Sequence, residues 1–365
     1  MNTITVRPAE DSDNEQIMQL SRRCYQDGII SLSVQRTPRF NSLHRLLDPD
    51  SWHYVACLGS EVIGLVGVVH FPAVLAGTPC TLSFMMDLRV DPRFRKGRTA
   101  FRLVRAAIDH VLATDADMVI ANFLKHNQNS LIFASGRAGI PKAFHLGDNR
   151  VFNMLPLRTM RPDPRFEIGV PSPADIPELL ALYRNYAAGF RMAPVIGESR
   201  FEQYLGTIDG LSLDRFIVAK EGGKIRAITA LWDEHTYKSY EVLKLTYGIR
   251  TISTFLRFLS CFMKAPKPVR LHEPLRQLSL VMYAHDDCPG ALGALFRHVN
   301  NTYRGSDYTL ITVQAQERDP LFRLLRPFTG ISVKSEMYLF SRDGAVYDTL
   351  SRNGSPDLFD LVLTL

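Results

Sequence analysis

A short segment of this 365-residue chain gathers side chains that could bind a negatively charged ligand. Residues 89–105 contain seven basic residues and a single acid, Asp91. The basic residues are Arg89, Arg93, Arg95, Lys96, Arg98, Arg102 and Arg105. The whole chain has a net charge of +6, so this excess is local. A local cluster favours a compact anion over nucleic acid, although a solvated basic helix face has the same composition.

The loop inside this segment has the layout of a phosphate cradle. A strand pattern ends at Val90, Pro92 prevents its continuation, and a basic loop containing Gly97 opens a helix. A helix N-terminus offers unpaired backbone N–H groups and a partial positive charge, and glycine lets the backbone approach a ligand closely. The segment therefore predicts a pyrophosphate site, with a purely structural turn as the alternative.

The elements that must position this loop alternate between strands and helices. The predicted order for the first half is a strand at 4–8, a helix to about 24, a short helix over 38–48, a hairpin of Trp52–Leu58 and Glu61–His70, a strand at Thr81–Val90, a helix over 98–113, a strand over 117–124, a helix over 127–136 and a strand at Val151–Leu157.

The second half repeats this order, which indicates duplication of one unit. It contains a second hairpin, Arg215–Lys220 with Lys224–Trp232, and a strand at Gln277–Ala284. The polar segment 158–165, with two prolines, is typical of a boundary. An insertion at 234–272 includes a helical pattern at Thr251–Met263, interpreted as a core or interdomain helix, with a membrane-surface helix or a subunit contact as alternatives.

The order of elements over 4–157, with the pattern Val90-x-Pro92-x-x-Arg95-x-Gly97-x-x-Ala100, resembles the GNAT N-acetyltransferases. Their loop reads Arg or Gln, two residues, Gly, one residue, then Gly or Ala; here Arg98 stands at the central glycine. The resemblance implies an α/β fold of α+β type with two tandem GNAT-like domains, each a mixed, mostly antiparallel sheet flanked by helices. The predicted domains are 1–160, which binds acetyl-CoA, and 166–365, whose loop is degenerate.

The same resemblance assigns the predicted site. Backbone groups of Leu88, Arg89 and Val90 would bind the pantetheine arm. The phosphate loop would comprise Arg95, Lys96, Gly97, Arg98, Thr99 and Ala100, with Asn127 at the start of the family's last helix. No metal ligand cluster is expected.

Asp87 is the candidate catalytic base, acting directly or through a water, because an amine acceptor must lose a proton before it attacks a thioester. Alternatively, Asp87 pairs with Arg89, since both side chains point to the same face of the strand. The family's proton-donating Tyr would align with Ala134, beside Phe133, and neither can donate. The other candidate acids are Tyr54, His70, His126 and His145.

The second half has a different chemistry where its loop should be. The segment 284–290 contains Asp286 and Asp287, and no Lys or Arg lies between Val281 and Phe296. Carboxylates would repel a pyrophosphate, so this half is predicted not to bind CoA. The polar segment Trp232–Lys238 either lines an acceptor pocket or is a helix start capped by Asp233.

These predictions together describe an enzyme that transfers an acetyl group from acetyl-CoA to an amine. The acceptor class stays open among small amines, amino sugars, peptide amines and lipid-linked amines, and the oligomeric state is also open. The alternatives are a non-catalytic CoA-binding sensor or scaffold, and a long-chain acyl-CoA enzyme at a membrane surface, which rests only on the helix at 251–263.

Composition excludes several other classes. An apolar fraction of 46% with 22% charged residues excludes a disordered chain, and Gly 23 with Pro 21 excludes a collagen-like one. The five cysteines are sparse and odd in number, which favours reduced thiols and a cytoplasmic protein. The N-terminal residues show no signal-peptide pattern, and no apolar window predicts a membrane span.

Overall fold

The computed structural model describes residues 3–25, 30–114, 118–125, 132–137, 139–260, 262, 264–342 and 344–351. Its strands are β1 Ile4–Pro8, β2 Ile30–Arg36, β3 Trp52–Leu58, β4 Glu61–Leu75, β5 Thr78–Val90, β6 Met118–Leu124, β7 Phe144–Met154, β8 Glu167–Gly169, β9 Met192–Pro194, β10 Phe216–Glu221, β11 Lys224–Trp232, β12 Lys238–Leu245, β13 Gln277–His285, β14 Leu310–Gln316 and β15 Gly330–Ser341. Its α-helices are α1 Asn14–Arg23, α2 Ser42–Leu47, α3 Thr99–Val111, α4 Ile176–Ala187, α5 Glu198–Thr207, α6 Tyr247–Ser260, α7 Pro289–Thr302, α8 Leu321–Leu325 and α9 Gly344–Ser351.

One continuous sheet contains thirteen of the described strands. Twelve lie side by side in the order β1-β3-β4-β5-β6-β15-β7-β14-β13-β11-β10-β8, and β9 pairs with β4 outside this row. Among the described pairs, β5–β6 and β13–β14 are parallel and the others antiparallel. The predicted mixed, mostly antiparallel sheet flanked by helices is confirmed, as are the hairpins β3–β4 and β10–β11.

The two halves exchange their last strands. The strand predicted at Val151–Leu157 begins earlier, as β7, and pairs with β14 and β15 of the second half. In return, β15 pairs along its length with β6 of the first half. Local patterning cannot reveal this arrangement, because hydrophobic alternation marks a strand without choosing its neighbour.

The hydrophobic cores follow the same exchange. Phe152 and Met154 of β7 lie in the core of the second half, and Phe340 of β15 lies in the core beneath β4, β5 and α3. The predicted boundary at 160–166 falls in the coil between β7 and β8. The parts on either side of that boundary are therefore interlocked, each completing the sheet and the core of the other.

The register of the central strands is repeated in the two halves. In the first, Gly64 pairs with Val90 and Gly67 with Met86, with a register shift between them. In the second, Ala227 pairs with His285 and Ala230 with Val281, again with a shift between them. A bulge of this kind bends the strand and interrupts its hydrogen bonds. In the first half the bulge follows the last parallel pair of β5 and β6, Met85–Ala121. In the second half it follows the last parallel pair of β13 and β14, Leu280–Val313.

The insertion at 234–272 contains a strand as well as a helix. The helix predicted at Thr251–Met263 is α6, which begins earlier, at Tyr247. Strand β12 precedes it and pairs with β2 in a separate two-stranded ribbon that joins the two halves. Sequence analysis placed no strand at Ile30–Arg36, although its alternation of apolar and polar residues has the strand period.

Helix α3 holds the basic loop against the sheet. It buries Leu103, Val104 and Ile108 at helical spacing, and a side chain added at Gly64 of β4 would lie 2.8 Å from Leu103. This close approach fixes the start of α3 next to the end of β5. Among the described residues, no helix combines the length and hydropathy that a transmembrane span requires. The described cysteines, at 24, 57, 80 and 288, are free thiols.

Candidate functional site

The basic loop between β5 and α3 begins with a turn that is held by internal ion pairs. Asp91 is buried, its carboxylate accepts a hydrogen bond from the backbone N–H of Arg93 at 3.0 Å, and it pairs with the Arg93 and Arg23 side chains at 3.0 Å each. Hydrogen bonds from the Arg93 side chain lower the pKa of Asp91 to about 2, so the carboxylate stays charged. The Arg93 guanidinium is therefore already paired within the protein and is not suited to bind a ligand.

The rest of the loop is open. Arg95, Lys96, Gly97 and Arg98 are exposed, and the described ion pairs include none of their cations. The guanidinium of Arg95 donates from Nε to the carbonyl oxygen of Val90 at 3.1 Å, which ties the loop to the strand end. A Cβ added at Gly97 would meet only the Phe94 carbonyl oxygen, at 3.6 Å. The loop thus presents positive charge with space beside its backbone.

The first turn of α3 has unsatisfied hydrogen-bonding groups. No side chain caps this helix at Arg98, so its first N–H groups are free to bind an anion. The hydroxyl oxygen of Thr99 is buried and has no hydrogen-bond partner. A buried polar atom normally has a partner, so the Thr99 hydroxyl is available to hydrogen-bond a group bound at the helix start.

Strands β5 and β6 separate next to this helix start. Their parallel pairing runs from Leu82–Met118 to Met85–Ala121 and stops where β5 bulges. Beyond it, Leu88 is half-buried, the Arg89 side chain is 9% exposed and Val90 is buried. A crevice at the carboxyl ends of diverging parallel strands is a common position for a ligand. The predicted pantetheine residues Leu88, Arg89 and Val90 therefore lie on one wall of the same crevice as the basic loop.

Asp87 lies at the bulge, in the left-handed region with φ 52°, and it is enclosed by cations. Its Oδ2 accepts from Arg36 Nε at 3.1 Å, and its Oδ1 accepts from Arg89 Nη2 at 3.1 Å. Burial would raise the pKa of Asp87, but the charges of Arg36 and Arg89 outweigh it and hold this pKa well below the usual value. The ion pairing left open from the sequence is thus present. It makes Asp87 a weak base in this arrangement.

Two histidines extend inward from Asp87. His44 Nε2 lies 3.9 Å from the Asp87 carboxylate, and His44 Nδ1 lies 2.9 Å from His53 Nε2. Burial lowers the pKa of His44 well below its usual value and the pKa of His53 to about 4, so both are neutral near pH 7. Gly67 makes room for this pair, because a Cβ there would lie 2.6 Å from the His53 ring.

The equivalent crevice of the second half is filled. Tyr283 corresponds in register to Leu88, is fully buried, and donates its hydroxyl to Asp319, beyond β14, at 3.2 Å. At the start of α7, a Cβ on Gly290 would meet the Arg165 guanidinium at 3.3 Å and the Phe166 ring at 3.8 Å. The interdomain linker therefore covers the helix start that would otherwise face a ligand.

The acidic loop of the second half is also paired internally. The Asp286 carboxylate accepts from Lys224 Nζ and Arg226 Nη1, each at 2.7 Å. The hydrogen bond from Lys224 lowers the pKa of Asp286, so the carboxylate remains an anion. This geometry agrees with the prediction that the second half does not bind CoA, and that prediction is carried forward as part of the proposal.

Residues 14–138 match the model of the acetyltransferase (GNAT) family. The first half of the chain carries a GNAT domain. No curated protein sequence matches the chain significantly.

Solved structures share the fold of the whole chain, GNAT domain included. Saccharomyces cerevisiae N-myristoyltransferase with bound myristoyl-CoA matches with a TM-score of 0.62 at 13% identity, over 93% of this chain and 83% of that one. The same enzyme with myristoyl-CoA and inhibitors gives 0.63 at 14% identity, over 93% and 80%. An Enterococcus faecalis protein described as a probable N-acyltransferase gives 0.51 at 9% identity, over 92% and 72%. At such low identity these matches establish the fold alone.

The candidate proton donors that the structure describes lie close to other polar side chains. The Tyr54 hydroxyl lies 3.1 Å from His110 Nδ1, and His70 accepts from Trp52 and contacts Ser83. His145 Nε2 lies 3.7 Å from Asp148. Phe133 is buried, as an apolar residue should be, in a short 3-10 turn at Ile132–Ala134. His126 and Asn127 lie outside the described residues.

In the segment Trp232–Lys238, Asp233 caps a short helical turn, which is the second of the two alternatives left open from the sequence. Asp233 accepts from the backbone N–H of His235 at 3.2 Å, and its other oxygen accepts the Tyr308 hydroxyl at 2.7 Å. Glu234 and Lys238 form a buried ion pair at 2.8 Å. Within the described part of the chain, no three His, Cys, Asp or Glu side chains form a group suited to a metal ion.

Sequence analysis missed three residues next to Asp87. Arg36 is 6% exposed and comes from the ribbon strand β2, and His44 and His53 come from α2 and β3. The alternation of Ile30–Arg36 could have indicated the strand that carries Arg36. The two histidines carried no local signal, because their meeting depends on the packing of α2 onto the sheet.

Proposed function

We propose that this chain is an acyl-CoA-dependent N-acyltransferase whose GNAT domain transfers an acetyl group from acetyl-CoA to an amine. The observation that carries the proposal is the open basic loop at an uncapped helix start, beside the bulge of β5. Its exposed cations and the partnerless Thr99 hydroxyl suit the phosphates of CoA. When bound, acetyl-CoA supplies an activated thioester carbonyl.

Each residue group of the crevice has a role in this proposal. Arg95, Lys96 and Arg98 neutralise the phosphates, and the backbone N–H groups at Thr99 and Ala100 donate hydrogen bonds to them. Backbone groups of β5 beyond the bulge, which lack a full set of strand partners, hold the pantetheine arm. These residues bind and orient the donor, which brings its carbonyl to the bulge.

The role of Asp87 as general base is part of the proposal, and the geometry places a condition on it. A carboxylate between Arg36 and Arg89 holds a proton weakly, whereas the acceptor ammonium has a pKa of about 10 if it resembles lysine. Asp87 therefore accepts this proton only if the amine approaches with its own pKa lowered by desolvation, or through a water. Otherwise Asp87 is a positioning residue for the two arginines.

The proposal names acetyl-CoA as the acyl donor and an amine as the acceptor. The family description supports acetyl-CoA, while the yeast enzymes of the same fold carry myristoyl-CoA in their structures. An amine is the acceptor class that an N-acyltransferase fold supports. Among amines, small molecules, amino sugars, peptides and lipid-linked groups are all to be screened.

Calorimetric titration of the purified chain with acetyl-CoA, CoA and myristoyl-CoA tests donor binding. We expect one acetyl-CoA site per chain, in the GNAT domain, because the second crevice is filled by Tyr283 and the linker. Two sites would contradict the assignment of the second half. No binding of any of the three would overturn the proposal.

A thiol-release assay across an amine panel then tests turnover. We expect CoA release that depends on both acetyl-CoA and an amine. The locked ion pairs of Asp87 favour one competing function, a CoA-binding sensor or scaffold without catalysis. Tight binding of acetyl-CoA with no thiol release from any amine class would favour that alternative.

A further inference from the structure

Helix α6 carries an exposed apolar stripe. Ile252, Phe255 and Phe258 are 52%, 58% and 62% exposed, Phe262 just beyond the helix is 74% exposed, and Tyr247 at its start is 87% exposed. Their spacing of three and four residues places Ile252, Phe255, Phe258 and Phe262 on one side. We call these five residues the α6 stripe.

The opposite side of α6 attaches it to the rest of the protein. Ser253 and Leu256 are buried, and the Ser253 hydroxyl donates to the carbonyl oxygen of Val269 at 2.6 Å. The helix is therefore oriented by contacts on its small, partly polar side, with its aromatic side turned outward. This is the reverse of a helix that buries its apolar face in a core.

The sequence around the stripe is basic without exception. From Val242 to His272 it has six Lys or Arg residues and no Asp or Glu. Arg250, Arg257, Lys264 and Arg270 are exposed. Arg270 pairs with Glu273, just outside this segment, at 3.3 Å. An aromatic stripe whose own segment carries no acid matches a surface that is apolar inside and anionic outside.

We infer that the α6 stripe docks on an anionic membrane surface, with the helix lying in the plane of the headgroups. Exposed Phe and Tyr side chains enter the interface, while the surrounding cations contact anionic lipid. A helix of fourteen residues is about 21 Å long, which suits this orientation. A second copy of the chain fits less well. At about 150–250 Å² per aromatic side chain, the exposed fractions of the four aromatic residues, 58–87%, leave about 420–700 Å² to bury. This is below the roughly 800 Å² per partner of a standard interface.

The ribbon sets the distance between the docking surface and the crevice. Strand β12 starts at Lys238, opposite Arg36, which binds Asp87, and ends at Leu245 just before α6. Seven residue steps of a strand span about 23 Å. The docking inference does not depend on the proposed function. If the chain is also an acyltransferase, its crevice faces acceptors held about 23 Å from the membrane surface.

Co-sedimentation with sucrose-loaded vesicles tests the docking. We expect the chain to bind vesicles of about one third phosphatidylserine in phosphatidylcholine and to bind pure phosphatidylcholine at least about five-fold more weakly. Phe255→Ser with Phe258→Ser should reduce binding at least about ten-fold, because both rings are lost from the interface. The matched control, Val170→Ser with Val195→Ser, replaces exposed apolar residues elsewhere and should bind like wild type.

A charge variant and a salt titration give independent readings. Arg250→Gln with Lys264→Gln should weaken binding to the phosphatidylserine vesicles about 30-fold, since each cation near an anionic leaflet contributes about 1 kcal/mol. Arg323→Gln with Arg326→Gln, exposed cations on another surface, should change nothing. Raising the salt concentration should release the unmodified chain, and this reading does not depend on how any variant folds.

Three results would overturn the inference. One is failure of the unmodified chain to sediment with phosphatidylserine vesicles at low salt. Another is equal sedimentation of the phenylalanine variant and wild type. The third is a stable dimer by light scattering that the phenylalanine substitutions dissociate, which would assign the stripe to a second copy. The calorimetric test of acetyl-CoA binding is separate, so failure of one proposal is distinguishable from failure of the other.

Discussion

Replacing Asp87 by Asn tests the most strongly coupled part of the site. The substitution keeps the size of the side chain and removes its charge. It leaves Arg36 and Arg89, which are 6% and 9% exposed, without the anion that both contact at 3.1 Å. Breaking a buried ion pair by removing one partner costs about 3–5 kcal/mol, and here one anion serves two cations. We therefore expect the free energy of unfolding to fall by at least about 3 kcal/mol.

Urea unfolding at pH 7, followed by circular dichroism, measures this loss. The pKa of Asp87 is lower in the folded chain than in the unfolded chain, where it is about 3.9. Its contribution to the free energy of unfolding is therefore fully present above about pH 3.9 and is lost as the pH falls through the folded-state pKa. The deficit of the variant should therefore be constant between about pH 5 and 8. A loss below about 1 kcal/mol would refute the reasoning, since it would mean that the pair is solvated.

Two further variants sharpen the test. Asp109→Asn removes the exposed pair with Arg105, which spans one helical turn, and should cost less than about 0.5 kcal/mol. Adding Arg89→Gln to Asp87→Asn removes one of the two uncompensated charges and should recover part of the loss. If Asp87 is also the general base, the folded fraction of Asp87→Asn should keep its affinity for acetyl-CoA but lose turnover. A parallel loss of both would indicate a positioning role.

Three other predictions follow from the site. Arg95→Ala with Arg98→Ala should weaken acetyl-CoA binding about 100-fold in calorimetry, from about 1.5 kcal/mol per charged contact; unchanged affinity would exclude the loop as the phosphate site. Asp286→Asn with Asp287→Asn should leave one acetyl-CoA site per chain, because the linker still covers the second crevice, and a second site would contradict this. Burial lowers the pKa of His53 to about 4, so His53 alone should reduce the free energy of unfolding by about 1.4 kcal/mol per pH unit from pH 6.5 toward 4, and the buried His44 should add to this fall. Urea midpoints that do not shift between pH 7 and pH 5 would contradict the burial of these histidines.

Local patterns predicted the elements that depend on neighbouring residues. The hairpins around the turns at 59–60 and 222–223 have short turn signals between apolar runs, and both form. The basic loop was recognisable because Pro92, Gly97 and the helix pattern follow one another directly. The helix predicted over 98–113 likewise forms, as α3, since a helical period needs no information from distant residues.

The features that escaped prediction depend on contacts between distant residues. The pairing of β15 with β6 joins residues more than 200 positions apart, and nothing in either strand specifies the other. The ribbon of β2 and β12 carries Arg36 to Asp87, although the two are 51 positions apart in sequence. The outward direction of the aromatic side chains of α6 was hidden as well, because helical spacing shows a stripe without showing whether anything covers it.

The exchanged strands have a consequence for how the chain folds during synthesis. The first half needs β15 beside β6, but 217 residues separate the end of β6 at Leu124 from the end of β15 at Ser341. At about 5–20 residues per second, a ribosome takes roughly 10–40 s to make that stretch. Throughout that interval β6 has an unpaired edge, which is a site for aggregation and for chaperone binding. A gene fragment encoding either half would leave such an edge permanently open, which favours keeping both halves in one reading frame.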